Sequence, residues 1–401
     1  MSFEMIEQEM DGANIKVVGI GGAGGNAINH MIEGGVQGVE FIAINTDKQA
    51  LKRTLASKSV QLGEQGLGAG ARPDAGRAAA EAERERIREM LEGANMVFLT
   101  AGMGKGTGTG ASPVVAEVAK ELGILTVGVV TKPFEFEGKK KQQIADAGID
   151  QLVDLVDSLI VVLNQNLFAV MDEDASLEDA FKRADDVLNN AVAGIAEIIN
   201  VPGLVNVDFA DVETVMTDKG KAMMGIGEAS GLDRARLAAE QAVASPLLDG
   251  VDLSGARGVI VNITANRSLK LRETNEVINT IKAFCADDAT IIHGTVFDED
   301  MNDSLRVTVV ATGIGKRAKP VLVPNQKPAT GIRTGTDDAR APVAEAASAQ
   351  ATNQPGYDKY DEPAVWRTNS QRGSATSQVK ALEDKGVERF DIPAFLRRQA
   401  D

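Results

Sequence analysis

Apolar residues fall in short continuous blocks along the first 170 positions. IKVVGI (15–20), VEFIAINTD (39–47), ANMVFLTAG (94–102), ILTVGVVTK (124–132) and SLIVVLNQN (158–166) are rich in β-branched residues and nearly uninterrupted by polar ones. Runs of this kind predict strands buried on both faces of a parallel sheet. Helical stretches separate them. AGRAAAEAERERIREMLEG (75–93) carries Ala, Glu and Arg and ends on Gly93, and SPVVAEVAKELG (112–123) offers Ser112 as N-cap, Pro113 at the first helical position and Gly123 as its stop. Strand–helix alternation predicts an α/β domain with a doubly wound parallel sheet over 12–175.

A longer period follows. In SLEDAFKRADDVLNNAVAGIAEIIN (176–200), Leu177, Phe181, Ala184, Leu188, Ala191, Ile195 and Ile198 repeat at alternating spacings of four and three, one face of a helix. Ser176 and Asp179 form a candidate capping pair, and Pro202-Gly203 ends the run. At 1.5 Å per residue such a helix reaches roughly 36 Å, enough to span a domain, so 176–202 reads as a central connecting helix. ARGVIVNITA (256–265), ATIIHGTVFDED (289–300) and SLRVTVVATGI (304–314), with a helix near 274–286, predict a smaller α+β domain over 203–315.

From 316 to 385 the periodicity disappears and Pro, Ala, Thr, Gln, Ser and Asn dominate, which predicts a disordered linker. Tyr357, Tyr360 and Trp366 lie in it, either as a docking segment or by chance. Apolar character returns over 386–401, where Ile392, Pro393, Phe395 and Leu396 stand beside Arg397 and Arg398. An apolar knot with basic flanks on a tether has the form of a short motif that orders on binding.

The formal net charge of −16 argues against binding nucleic acid or anionic membrane by bulk electrostatics. The single cysteine, Cys285, excludes an internal disulfide and suits a reducing compartment. His30 and His293 are far apart, no Cys/His ligand spacing exists, and no metal-binding residues are expected. The acidic start lacks the apolar core of a signal peptide, and no stretch reaches the roughly 18 apolar residues of a spanning helix, so a cytoplasmic protein without direct membrane insertion is expected.

Two glycine-rich loops carry the chemistry. GIGGAGGN (19–26) follows a strand and satisfies G-x-G-x-x-G at Gly19, Gly21 and Gly24, a Rossmann-like signature. Asp47 stands about 20 residues on, where a ribose-binding acid is expected, so NAD is one candidate. GMGKGTGTG (102–110) ends another strand and adds hydroxyls at Thr107 and Thr109. One pyrophosphate needs one cradle; two loops from neighbouring strands can wrap a longer di- or triphosphate. No Walker loop is present. In NVDFADV (206–212), Asp208 and Asp211 would sit side by side on a helix start, either as caps or as a carboxylate pair that polarises water.

GIGGAGGN, AINTD, GKGTGTG, NVDFADV and the terminal DIPAFLRRQAD, in this order, resemble the FtsZ family of tubulin-like GTPases over essentially the whole chain. The resemblance implies one GTP or GDP, with Mg²⁺, held by Gly21, Gly22, Ala23, Gly24, Gly25 and Asn26 and by Gly104, Lys105, Gly106, Thr107, Gly108 and Thr109. It implies nucleotide contacts at Glu137 and Lys141, and contacts to ribose and guanine at Asn164, Phe181 and Asp186. A carboxylate at Asp186 suits guanine, whose edge offers two N–H donors. By the same resemblance Asp208, Asp211 and Asn206, in a loop at 203–212, complete the GTP site of the next subunit in a head-to-tail homopolymer, so hydrolysis requires assembly. Asp391–Arg398 would dock membrane-tethering and regulatory division proteins, at the mid-cell ring on the inner face of the membrane.

Two positions depart from the family pattern. Lys105 replaces a glycine; if it needs φ > 0 the cost is about 1–2 kcal/mol, whereas its ammonium can instead pair with phosphate. Lys141 stands where an arginine is common and lacks the bidentate fork. These departures motivate an alternative: a nucleotide-binding polymer or regulator with little hydrolysis. An NAD-dependent oxidoreductase is the remote alternative.

Overall fold

The computed structural model describes residues 12–171, 174–201, 207–217, 220–248, 255–286 and 288–314. Asn206, the linker aromatics and Asp391–Arg398 lie outside the described residues.

Among the described residues ten strands form one sheet in the order β3-β2-β1-β4-β5-β6-β7-β10-β8-β9. The apolar blocks supply β1 (Ile15–Ile20), β2 (Val39–Asn45), β4 (Met96–Gly102), β5 (Leu125–Lys132) and β6 (Ser158–Leu163), all paired in parallel, with β3 (Lys58–Gln61) at the edge. Their side chains are largely buried on both faces, as their composition demands. Three residues of β6 pair with β7 (Gly220–Ser230), so the strands of the second region continue the sheet. There β10 (Ser304–Ile314) runs antiparallel between β7 and β8 (Gly258–Ala265), and β9 (Thr290–Phe297) pairs with β8 in parallel.

Several elements differ from their predicted bounds. The stretch at 75–93 forms two helices, α3 (Pro73–Ala82) and α4 (Arg84–Leu91), because Glu83 leaves helical geometry at φ −105°, ψ 18°. The fifth helix begins not at Ser112 but at Thr107, and α5 (Thr107–Glu121) carries Pro113 inside it. Ser112 does not cap; its hydroxyl donates to Gly108 O, one turn back, at 2.6 Å. Gly106 of the second loop is therefore the N-cap of this helix, and Gly108 and Gly110 lie in its first turn.

The long helix α7 (Leu177–Asn200) opens on the predicted capping box: Asp179 N donates to Ser176 Oγ at 3.2 Å, and Ser176 N to Asp179 Oδ2 at 3.0 Å. Ala184, Leu188, Ala191, Ile195 and Ile198 are buried in the core, but Leu177 and Phe181, at the start of the same stripe, are exposed. Cys285 falls just beyond α10 (Leu271–Lys282), half-buried, with its thiol pushed up by burial.

Candidate functional site

The strand order reverses between β1 and β4, which lie side by side in parallel with Gly19 opposite Thr100 and Ile20 opposite Ala101. Ligands of doubly wound sheets bind beyond the carboxyl ends of strands at such a switch point. Both glycine loops leave from there. α1 (Gly21–Glu33) starts directly after β1, and α5 starts five residues after β4. Gly21 takes φ +76°, and a Cβ on it would lie 2.9 Å from Gly108 N, so the two loops touch backbone to backbone.

Neither helix start is capped. Ile20 and Gly106 hold the N-cap positions without a side-chain hydrogen bond, and neither first turn carries an acid. The amide donors and positive ends of two helices thus converge on one crevice, an arrangement suited to an anion. Gly22 and Gly25 face open space, and with Asn26, Asn29, Asn45, Arg53 and Thr54 they line a hollow of about 100 Å³. Ala23 and Gly24 complete this turn, with Gly24 packed against Thr100 O.

The second loop is braced from within. Thr109 is buried and its hydroxyl accepts from Gly104 N at 2.9 Å. Thr107 Oγ1 lies 2.6 Å from Thr46 Oγ1, tying the loop after β2 to the start of α5. A Cβ on Gly106 would lie 2.8 Å from Ala69 Cβ, and one on Gly108 would lie 2.5 Å from Gly102 O. Part of the glycine density therefore answers close approach by the protein itself. Lys105 is exposed and its φ is not positive; Gly104 takes the left-handed geometry at φ +98°. The strain considered for a lysine at this position does not arise.

Two further segments close on the crevice. A Cβ on Gly104 would lie 2.7 Å from Lys141 O, which places the start of α6 (Lys139–Val153) against the second loop. Glu137 accepts from Phe134 N at 3.2 Å and from Lys141 Nζ at 3.1 Å. Phe134 is buried, with Phe136, Phe168 and Phe181 ringed about it at centroid distances of 5.0, 5.3 and 5.6 Å. Asn164 begins the 3-10 turn after β6, and its buried Oδ1 has no hydrogen-bond partner among the described residues. A buried acceptor without a donor is costly, which fits a ligand donor arriving there.

On α7, Asp186 Oδ1 lies 2.7 Å from His30 Nε2 of α1, and Oδ2 lies 3.7 Å from Arg183 Nη1. Burial pushes the neighbouring Asp185 carboxyl up to about 6, an effect opposed by His30 and reinforced by Asp186. Asp186 also lies at the edge of a cleft of about 700 Å³ between α7, β7 and the end of α9 (Arg234–Val243).

Asp208 and Asp211 are not brought to this crevice. Asp208 stands at the N-cap of α8 (Phe209–Met216), with no side-chain cap bond, and Asp211 lies in its first turn; both are exposed. α8 packs on β8 and β9, and β8 is five strands from β4, roughly 24 Å at about 4.8 Å per strand. Asp47 caps α2 (Lys48–Leu51), accepting from Gln49 N at 2.8 Å, and so is engaged in a local role instead of the ribose contact that NAD binding requires. Among the described residues no three His, Cys, Asp or Glu side chains group as metal ligands, and no helix is long and apolar enough to cross a membrane.

Sequence reasoning missed Thr46, Asp185 and His30. The signal for His30 was its spacing: it follows Asn26 by four residues on the helix that opens at the first loop, and so shares that residue's face.

Comparison with known proteins agrees with this geometry. The model of the Tubulin/FtsZ family, GTPase domain, matches residues 14–172, and that of the FtsZ family, C-terminal domain, matches 220–315. "Cell division protein FtsZ" of Pseudomonas aeruginosa is 53% identical over 403 residues, covering 100% of both chains. The protein of the same name from Coxiella burnetii is 52% identical over 400 residues, covering 99% of each. Among solved structures, an empty FtsZ dimer from M. jannaschii is 45% identical with a TM-score of 0.72, over 75% of this chain and 88% of that one. CetZ2 from Haloferax volcanii, at 20% identity and a TM-score of 0.63 over 76% and 94%, shares the fold. Two family models matched in chain order, and relatives half identical along the full length, place the switch-point crevice in a known setting: the chain belongs to the tubulin/FtsZ family of GTPases.

Proposed function

We propose that this chain is a GTP-dependent cytoskeletal GTPase of bacterial cell division that assembles head to tail, each subunit completing the GTP site of its neighbour. The observation that carries this is the separation of parts. The crevice gathers amide donors and helix N-termini for phosphate, while the exposed carboxylates Asp208 and Asp211 stand on a helix packed against β8 and β9, five strands along the sheet from β4. Phosphate oxygens then meet Gly21–Asn26 and Gly104–Thr109, while Asn164, Phe181 and Asp186 take ribose and guanine, with Glu137 and Lys141 at the rim. Asp208 and Asp211, with Asn206 in the same loop, orient the attacking water of the adjoining subunit. Mg²⁺ would find its oxygen ligands on the phosphates and water, a mode that ion accepts readily.

Relatives named for cell division support a place at the division ring, on the cytoplasmic side of the membrane. Asp391–Arg398 is the segment we assign to membrane-tethering and regulatory division proteins. The low-hydrolysis alternative loses one of its two motives, since Lys105 carries no positive φ.

The test is phosphate release from GTP with Mg²⁺ at rising protein concentration, with light scattering in parallel. A concentration threshold, then a steep rise in both signals, is expected, and Asp211→Ala should keep GTP binding while losing turnover. Turnover linear in protein from the lowest concentration, with no scattering, would refute a site completed between subunits.

A further inference from the structure

His30 belongs to the helix that carries the phosphate-facing glycines, and Asp186 to the helix that carries Phe181. Their side chains meet at 2.7 Å, each about a third exposed. An ionised carboxylate only accepts, so His30 Nε2 is the donor. Asp186 has a competing partner on its own helix: Arg183, three residues earlier, lies 3.7 Å from Oδ2, an ion pair too long for a hydrogen bond. The terminal torsion of an aspartate is a broad, two-fold rotor with little preference of its own. What fixes the carboxylate plane is therefore the contact from α1.

We propose that His30 is a positioning residue for guanine recognition, its Nε2–H holding Asp186 so that the remaining lone pairs face the two N–H donors of the base. This rests on Asp186 being the base contact. One lone pair on Oδ1 goes to His30, and those left on Oδ1 and Oδ2 receive N1–H and the exocyclic amine. Without His30 the carboxylate rotates toward Arg183 and away from the base. The loss falls on bases that offer two donors and spares those that offer one, so His30 sets specificity as well as affinity.

The experiment measures dissociation constants of the full chain for GTP, ITP and XTP by displacement of a fluorescent GTP analogue, with thermal melting of each variant. ITP lacks the exocyclic amine, and XTP replaces it with a carbonyl. His30→Ala is expected to weaken GTP about five- to twenty-fold and ITP several-fold less, with the melting temperature nearly unchanged. His30→Gln, whose amide reaches the same place as Nε2, should restore most of the preference. His30→Leu, similar in bulk but without a donor, should behave like His30→Ala and stands in if the latter folds poorly. Asp186→Asn should shift preference from GTP toward XTP, and on that background His30→Ala should change the ratios less than about two-fold.

If His30→Ala and His30→Leu keep the parent GTP/ITP and GTP/XTP ratios while Asp186→Asn changes them, the positioning role is refuted and the base contact stands. An equal loss for all three nucleotides with a fallen melting temperature refutes it too, showing a structural contact only. Unchanged ratios in Asp186→Asn itself overturn the base contact, and the proposal with it.

Discussion

Thr46 Oγ1 and Thr107 Oγ1 lie 2.6 Å apart, a hydroxyl pair that joins the loop after β2 to the first residue of α5. One hydroxyl donates to the other, so Thr107 reaches a ligand with its remaining capacity already directed. Thr46→Val removes the partner with almost no change in volume. A lost hydrogen bond of this kind is worth about 0.5–1.5 kcal/mol, so GTP affinity should fall roughly two- to ten-fold, while Thr46→Ser stays near the parent. Titration with a fluorescent nucleotide decides it; equal affinities for Thr46→Val and the parent would leave the pair without a binding role.

Lys105 is exposed between Gly104 and Gly106, and no hydrogen bond or ion pair engages its ammonium among the described residues. Since its φ is not positive, Lys105→Gly relieves no strain. The change should lower stability slightly, by up to about 1 kcal/mol of backbone entropy. If the ammonium reaches the terminal phosphate, affinity for GTP drops about two- to five-fold and that for GDP less, with a weaker salt dependence. Equal losses for GTP and GDP would place Lys105 away from the third phosphate.

Two half-buried carboxylates give stability a pH dependence with a definite sign. Burial pushes Asp185 up to about 6, and it pushes Glu197 up as well, with Arg306 opposing and Asp298 reinforcing. An unfolded aspartate titrates near 3.9. Between roughly pH 4 and 6 the folded chain therefore binds more protons at Asp185 than the unfolded chain does. This contribution to stability is fully present below the unfolded value and is lost as pH rises through about 6. Asp185→Asn should melt higher than the parent at pH 7.5, and the gap should close as pH falls toward 4. A gap independent of pH would mean that the carboxyl is not desolvated.

The strands at the heart of the site were legible because burial on both faces forces continuous apolar runs, as in β1 and β4. β3 and β7 were not. Two of the four residues of β3 are exposed, and β7 reads GKAMMGIGEAS, with glycines that let α9 pack closely. The start of α5 was misplaced because Ser112-Pro113 mimics a helix start, while the true first turn alternates threonine and glycine, which no propensity favours. The loops were legible as anion cradles, but which glycines face a ligand was not. That depends on neighbours distant in sequence, such as Ala69 beside Gly106. The contact of His30 with Asp186 spans 156 positions and left only a helical spacing as its trace.

Gly22 and Gly108 lie in the two loops and should respond to the same substitution in opposite ways. A Cβ on Gly22 meets nothing within 4 Å, and its φ is ordinary. Alanine there fits the helix and should raise stability by about 0.5–1 kcal/mol. Yet its methyl group enters the space between the amide donors of α1, where a phosphate must come into hydrogen-bond range. Gly22→Ala should therefore melt at or above the parent temperature and lose GTP affinity by more than ten-fold. A Cβ on Gly108 would lie 2.5 Å from Gly102 O, backbone that does not yield cheaply. Gly108→Ala should destabilise the fold by about 1–3 kcal/mol through overpacking and weaken GTP as a consequence. Melting curves and GTP titrations on the two variants separate these effects. If Gly22→Ala binds GTP like the parent, the open face of the first loop is not where phosphate lies, and the crevice has to be re-centred on the second loop.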